Sequence, residues 1–145
     1  MSIIQVPISA FFAWFIAQAI KILIDLIEGK KLKANVIYRT GGMPSAHAAF
    51  VSAITVAILF TEGISNLFFV CLAFSLIVIV DAFGVRNQVG HHAKLLNILI
   101  TKIKMNIKKH RPKLLRELVG HSGIQVFFGI ITGCLTAVII NLFFI

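Results

Sequence analysis

The sequence predicts an all-α integral membrane protein: a bundle of four transmembrane helices with a basic amphipathic cytoplasmic segment between the third and fourth. Two observations carry this. Hydrophobic residues make up 59% of the 145 residues and charged residues only 13%. A soluble chain of this length cannot hide so much apolar surface, so lipid must cover it. The apolar residues also gather in four runs, at about 3–27, 45–60, 66–85 and 124–145, and a bilayer crossing needs roughly 17–25 mostly apolar residues. The second run is near the lower limit, which suggests that its start is sunk in protein rather than lipid. No long polar linker and no repeat divides the chain, so it reads as one membrane-embedded domain over residues 1–145. Residues 1–5 lack the basic region and cleavage site of a signal peptide, so the first run is expected to stay as a span.

The net charge of +9 is informative by position. The segment 28–43 carries Lys30, Lys31, Lys33 and Arg39, and the segment 86–123 carries nine Lys and Arg residues from Arg86 to Arg116, whereas the connection 61–65 carries only Glu62. By the positive-inside rule both basic loops are cytoplasmic, and both termini and the short connection lie outside the cell membrane. Such clusters report orientation and attraction to anionic membrane lipids before they report nucleic acid, and no nucleic-acid partner is expected. Within the long basic loop Leu95, Leu96, Leu99, Ile100, Ile103 and Ile107 share one helical face. This suits a helix lying in the interface, or equally one packed on the bundle, with Arg111-Pro112 ending it. Cys71 and Cys134 each sit in an apolar run and read as small buried hydrophobes; no His/Cys cluster has zinc spacing.

The polar residues that interrupt the apolar runs fall on one side. Gly41-Gly42-Met43-Pro44-Ser45-Ala46-His47 opens the second run, Asp81-Ala82-Phe83-Gly84-Val85-Arg86 closes the third and Gly120-His121 opens the fourth. With the charge-derived topology, all three stretches are cytoplasmic. Gly41 and Gly42 permit unusual backbone geometry and Pro44 suits a first helical turn. Amides at that helix start, with Ser45, would form an anion site, with His47 close by. Asp81 needs a partner, and Arg86 is the nearest candidate. In the first run Gln18, Lys21, Asp25 and Glu28 share a face; Lys21 either pairs with Asp25 at the i, i+4 spacing or reaches the anion site, and both can hold.

These stretches, continued by RELVGHSGIQVFFG, resemble the divergent branch of the type 2 phosphatidic acid phosphatase superfamily, which also includes vanadium haloperoxidases. The resemblance runs from Gln18 to about Gly133. It implies that Pro44-Ser45-Ala46-His47 is similar to the second superfamily motif, whose histidine protonates the leaving group. Arg86 resembles the phosphate-binding arginine of the third motif, and His121 its nucleophilic histidine, here set apart from the arginine by a basic insertion. Lys21 is similar to the lysine that stands for the first motif in this branch, and Asn97 also matches a branch position.

Three departures bear on activity. The acid expected four residues after His121 is Gln125, which can orient an imidazole but supplies no charge, so Asp81 is the candidate to substitute for it. The proline usual after Gly-His is Gly123, and Lys104 through Arg111-Pro112 spells the first motif out of order, which is read as coincidence in so basic a stretch.

The resemblance implies hydrolysis of a lipid phosphomonoester or pyrophosphate, without metal or other cofactor, through a phosphohistidine. Phosphatidylglycerophosphate, phosphatidate and polyprenyl phosphates all qualify as substrates. His47, His121 and Asp81 are the expected catalytic residues. Lys21, Gly41, Gly42, Ser45 and Arg86 are expected on the phosphate, with Gln125 as an orienting residue. The rivals are a non-catalytic protein that binds lipid phosphate or assembles with partners, having lost activity at Gln125, and a small transporter or channel subunit. Gly129 and Gly133 form a GxxxG pair through which copies of the chain could associate. Motif residues at one face rather than the midplane argue against transport.

Overall fold

A computed structural model of the chain describes residues 4–29, 42–102, 115 and 120–144. Their regular structure is entirely helical: α1 (Gln5–Ile27), α2 (Ala46–Glu62), α3 (Asn66–Val80), a π-helical turn (Asp81–Val85), α4 (Arg86–Lys102) and α5 (Gly123–Phe143). Three helical stretches are long and apolar enough to cross a membrane: Gln5–Ile27, the continuous Asn66–Lys102 and Gly123–Phe143. Ala46–Glu62 is a shorter apolar helix.

The helix starts are set by local chemistry. Ser45, Ser65 and Ser122 cap α2, α3 and α5, their side chains accepting from the amides of Ala48, Phe68 and Gln125, which satisfies donors that a helix start leaves open. At the far end of α2, Gly63 takes φ +69°, a left-handed conformation that ends the helix without a Cβ clash. The third apolar run does not end at residue 85 as expected. The helix passes through the π turn into α4 and reaches Lys102. Leu95, Leu96 and Leu99 are exposed on α4; Ile103, Ile107 and the expected stop at Arg111-Pro112 lie outside the described residues.

The packing is that of helices without a conventional apolar centre. The inside is alanine: Ala13 and Ala17 of α1, Ala46, Ala49, Ala53 and Ala57 of α2 and Ala137 of α5. The large side chains point outward, among them Phe11, Phe15, Phe74, Ile77 and Phe127. In lipid, hydrophobic burial gives no drive to associate, so small residues that let backbones approach and hydrogen bonds between helices supply the contact. Thr55 and Ser75 hydroxyls bond each other at 2.8 Å between α2 and α3, and Ser75 donates to the Val51 carbonyl at 3.1 Å. Gln5 donates to Asn141 at 2.7 Å, tying the start of α1 to the end of α5.

Gly129 and Gly133 work inside the chain. A Cβ on Gly129 would strike the Ser45 carbonyl and the Ala48 side chain, and one on Gly133 would overlap the Ala49 backbone. The GxxxG stripe expected as a contact between copies is thus filled by α2 of the same chain, because only glycine admits α2 at this distance. The contacts also fix direction: Ser45 meets Gln125, start to start, while Gln5 meets Asn141, start to end.

Gly133→Val should therefore lower stability by at least about 1–3 kcal/mol, the usual cost of overpacking. Gly84→Ala, where nothing beyond the adjoining residues and the helix's own backbone lies within 4 Å of the added Cβ, should cost little. Thermal unfolding of the two variants in the same detergent makes the comparison, and an equal midpoint for both would contradict the close α2–α5 approach.

Candidate functional site

The end of α1, the start of α2, the π turn after α3 and the start of α5 meet at one end of the bundle, and they bring the sequence-predicted residues together. Lys21 is buried in the last third of α1 at 4% exposure. Its aliphatic stem passes over Gly42, whose φ is +88° and where a Cβ would come within 3.2 Å of the stem. Gly42 therefore acts by making room for the lysine. Asp25, one turn further on, is also buried. Gly41 lies outside the described residues.

Ser45 departs from its expected role. It is fully buried; its amide donates to the Gln125 carbonyl at 2.8 Å and its hydroxyl accepts from the Ala48 amide. Its polar groups join α2 to α5 and cap α2 rather than facing an anion. The next two amides, of Ala46 and His47, have no partner among the described residues. His47 itself is exposed in the first turn of α2.

The π turn sets Asp81 and Arg86 five residues apart on one side, the spacing of an i→i+5 turn. The Arg86 Nε donates to Asp81 Oδ2 at 2.6 Å. Asp81 accordingly meets the arginine, the partner expected for it. Just beyond, the Ala82 carbonyl accepts the His121 amide at 3.1 Å, and Gly120 lies so close to the backbone of Arg86 and Asn87 that any Cβ would collide. These contacts seat His121 beside the arginine that the basic insertion separates from it in sequence.

His121 is the most unusual side chain of the group. It is 2% exposed, and neither ring nitrogen has a hydrogen-bond partner among the described residues. Its ring centroid is 6.0 Å from that of His47, with the planes at 73°. Burial and then the nearby charges of Lys21, His47 and Arg86 lower its pKa to about 4, so the imidazole is neutral at pH 7. A buried polar group without a partner costs stability, so its presence in a native structure calls for an explanation, a catalytic role among them.

Gln125 makes no hydrogen bond to this ring. Its side-chain oxygen accepts from the Ser122 amide at 3.0 Å, while its own amide donates to the Ser122 hydroxyl, a reciprocal capping box. The residue expected to orient His121 is instead committed to the first turn of α5. Asn97, whose motif position carries no evident role in the sequence, is also accounted for: its side-chain amide both donates to and accepts from the Leu115 backbone at 2.9 Å. Among the described residues no three His, Cys, Asp or Glu side chains gather as a metal ion would need.

The depressed pKa has a direct check. With ring-labelled histidine in detergent micelles, His121 should keep the neutral form down to about pH 4. A midpoint near the ordinary 6.5 would mean that the ring is solvated and free of its cationic neighbours.

Comparison with known proteins gives a consistent answer. No solved structure matches the chain. Among curated proteins, the uncharacterized membrane protein YuiD of Bacillus subtilis (strain 168) is 36% identical over 148 residues, covering 94% of each chain. Together with the spanning-length helices, this makes the chain a membrane protein. The family model described as the divergent PAP2 family matches residues 4–136, from the start of α1 to the α2-facing side of α5 and through every part of the site. The chain belongs to the divergent PAP2 family.

Proposed function

We propose that the protein is a membrane phosphatase that hydrolyses a lipid phosphomonoester or pyrophosphate, such as phosphatidylglycerophosphate, phosphatidate or a polyprenyl phosphate, through a phosphohistidine. The observation that carries this reading is His121: buried, neutral, without a hydrogen-bond partner among the described residues, and set against His47 amid the charges of Lys21 and Arg86. Phosphoryl transfer asks for positioned cationic charge and an in-line nucleophile more than for elaborate covalent chemistry. The same charges that repel a proton from His121 attract a phosphate.

In this mechanism a lone pair on the His121 ring attacks phosphorus while the bond to the leaving oxygen breaks. His47 delivers a proton to that oxygen. Water then attacks the phosphohistidine, His47 takes up its proton, and inorganic phosphate leaves. Lys21 and Arg86 hold the equatorial oxygens. The helix-start donors for the anion are the amides of Ala46 and His47, since that of Ser45 is already used. Asp81 acts through Arg86: gripping Nε leaves the outer guanidinium nitrogens to meet the phosphate.

The topology that goes with this reading has four spans, with both termini outside and the site at the cytoplasmic face, where a lipid head group emerges. Lys/Arg asymmetry is its support. Cysteines introduced at Lys31 and Lys109 should be shielded from an impermeant thiol reagent in intact cells while one at Glu62 reacts; labelling at Lys109 from outside would overturn the orientation.

A second reading, a non-catalytic binder of lipid phosphate, is favoured by one observation: no carboxylate among the described residues bonds His121, and Gln125 is spent on capping. Phosphate release from a panel of lipid phosphates by the purified protein, with and without chelator, decides between them. His121→Ala should abolish release, and His47→Ala should slow it by about 10²–10⁴-fold, most for poor leaving groups. Gln125→Glu should leave the rate nearly unchanged, because glutamate completes the same capping box and stays on Ser122. A clear rise in rate with this variant would put the new carboxylate on His121. Inactivity of wild type and Gln125→Glu on every lipid phosphate hands the lead to the binding reading.

A further inference from the structure

In sequence His121 follows the far end of α4, yet it sits against the start of that helix, beside Ala82 and Asn87. Nineteen residues (121 − 102) lead from Lys102 at the end of α4 to His121, enough for roughly 65 Å of extended chain. From the α5 side His121 is anchored immediately before the Ser122 cap, whereas on the α4 side a connection of this length adds little constraint by itself, because the probability of finding a chain end at one point falls with tether length. The structure shortens that tether at Asn97. This side chain is 6% exposed on α4, and it makes both hydrogen bonds that a neighbouring strand would make: Nδ2 donates to the Leu115 carbonyl and Oδ1 accepts from the Leu115 amide, each at 2.9 Å. Leu115 is itself 44% exposed, and both of its backbone polar groups go to Asn97. From that point only six residues (121 − 115) lead to His121, at most about 20 Å.

We propose that Asn97 is a positioning residue for His121: its clamp on Leu115 sets the short tether from which Gly120 docks on Asn87 and His121 bonds Ala82. Only asparagine suits the place. Aspartate lacks the donor and sets a carboxylate against the Leu115 carbonyl, and alanine makes neither bond. The assignment of a catalytic consequence rests on His121 being the nucleophile; the clamp itself does not.

The test therefore has two arms on the full-length protein in detergent. The first is the rate of His121 modification by diethyl pyrocarbonate, read peptide by peptide with His47 as internal reference, in wild type, Asn97→Ala and Asn97→Asp. Alanine keeps α4 helical and aspartate keeps the side-chain size, so hydrogen bonding is what changes. His121 should react about tenfold faster or more in Asn97→Ala, which is what the loss of two hydrogen bonds amounts to, and faster than wild type in Asn97→Asp, which loses the donor bond to the Leu115 carbonyl, with His47 at its wild-type rate in both. Unchanged His121 labelling, or equal acceleration at His47, overturns the proposal. The second arm is phosphate release, where kcat should fall while KM holds, because Lys21, Arg86 and the start of α2 still bind the phosphate; a fall in affinity with kcat intact also overturns it. If wild type releases no phosphate, the phosphatase reading fails and the labelling arm alone decides the clamp.

Discussion

The close approach of α2 and α5 is the constraint on which the site depends. Gly129 and Gly133 let the backbone of α5 come against Ser45, Ala48 and Ala49 at a distance no larger residue permits. At that distance the Ser45 amide reaches the Gln125 carbonyl, and the two helix starts are locked side by side. His47, the second residue of α2, and His121, just before the cap of α5, are then 6.0 Å apart at their ring centroids. The alanine interior follows the same logic. Where lipid removes the hydrophobic drive to associate, contact comes from proximity of backbones, and the geometry of the helix ends is inherited from it.

The second layer of organisation is electrostatic. A neutral imidazole buried beside the charges of Lys21 and Arg86 is an arrangement that gains from an anion. Lys21 is brought in through Gly42, and Arg86 is aimed by the π turn and its bond to Asp81. A π turn inside an otherwise regular helix is a local departure that commonly coincides with function. Here it sets the acid and the arginine on one side and presents the Ala82 carbonyl to the His121 amide.

Much of this was legible in the sequence, and the rest was hidden for identifiable reasons. Apolar run length located the helices because lipid imposes a length on them, and Pro44-Ser45 marked the start of the second. The Asp81–Arg86 pairing followed from the cost of isolating an acid at the end of an apolar helix. Periodicity carries no signal for a one-residue insertion such as the π turn, so the third helix was expected to stop where it continues. Ser45 was assigned to an anion site at the helix start and Gln125 to His121 by motif position, whereas the structure uses their polar atoms to build helix starts. GxxxG identifies a close contact without naming the partner, and the partner is α2. The Asn97–Leu115 clamp pairs a side chain with backbone across 18 residues, a relation that leaves no trace in local pattern.

If His121 attacks phosphorus, the phosphoryl group passes through a bond to its ring. The direct measurement is acid- and base-quench trapping of the purified protein with a radiolabelled lipid phosphate, followed by peptide mapping. The expected label survives base, is lost in acid, maps to the peptide holding His121 and disappears in His121→Ala. Turnover without such a label, or a label on another residue, would contradict attack by His121.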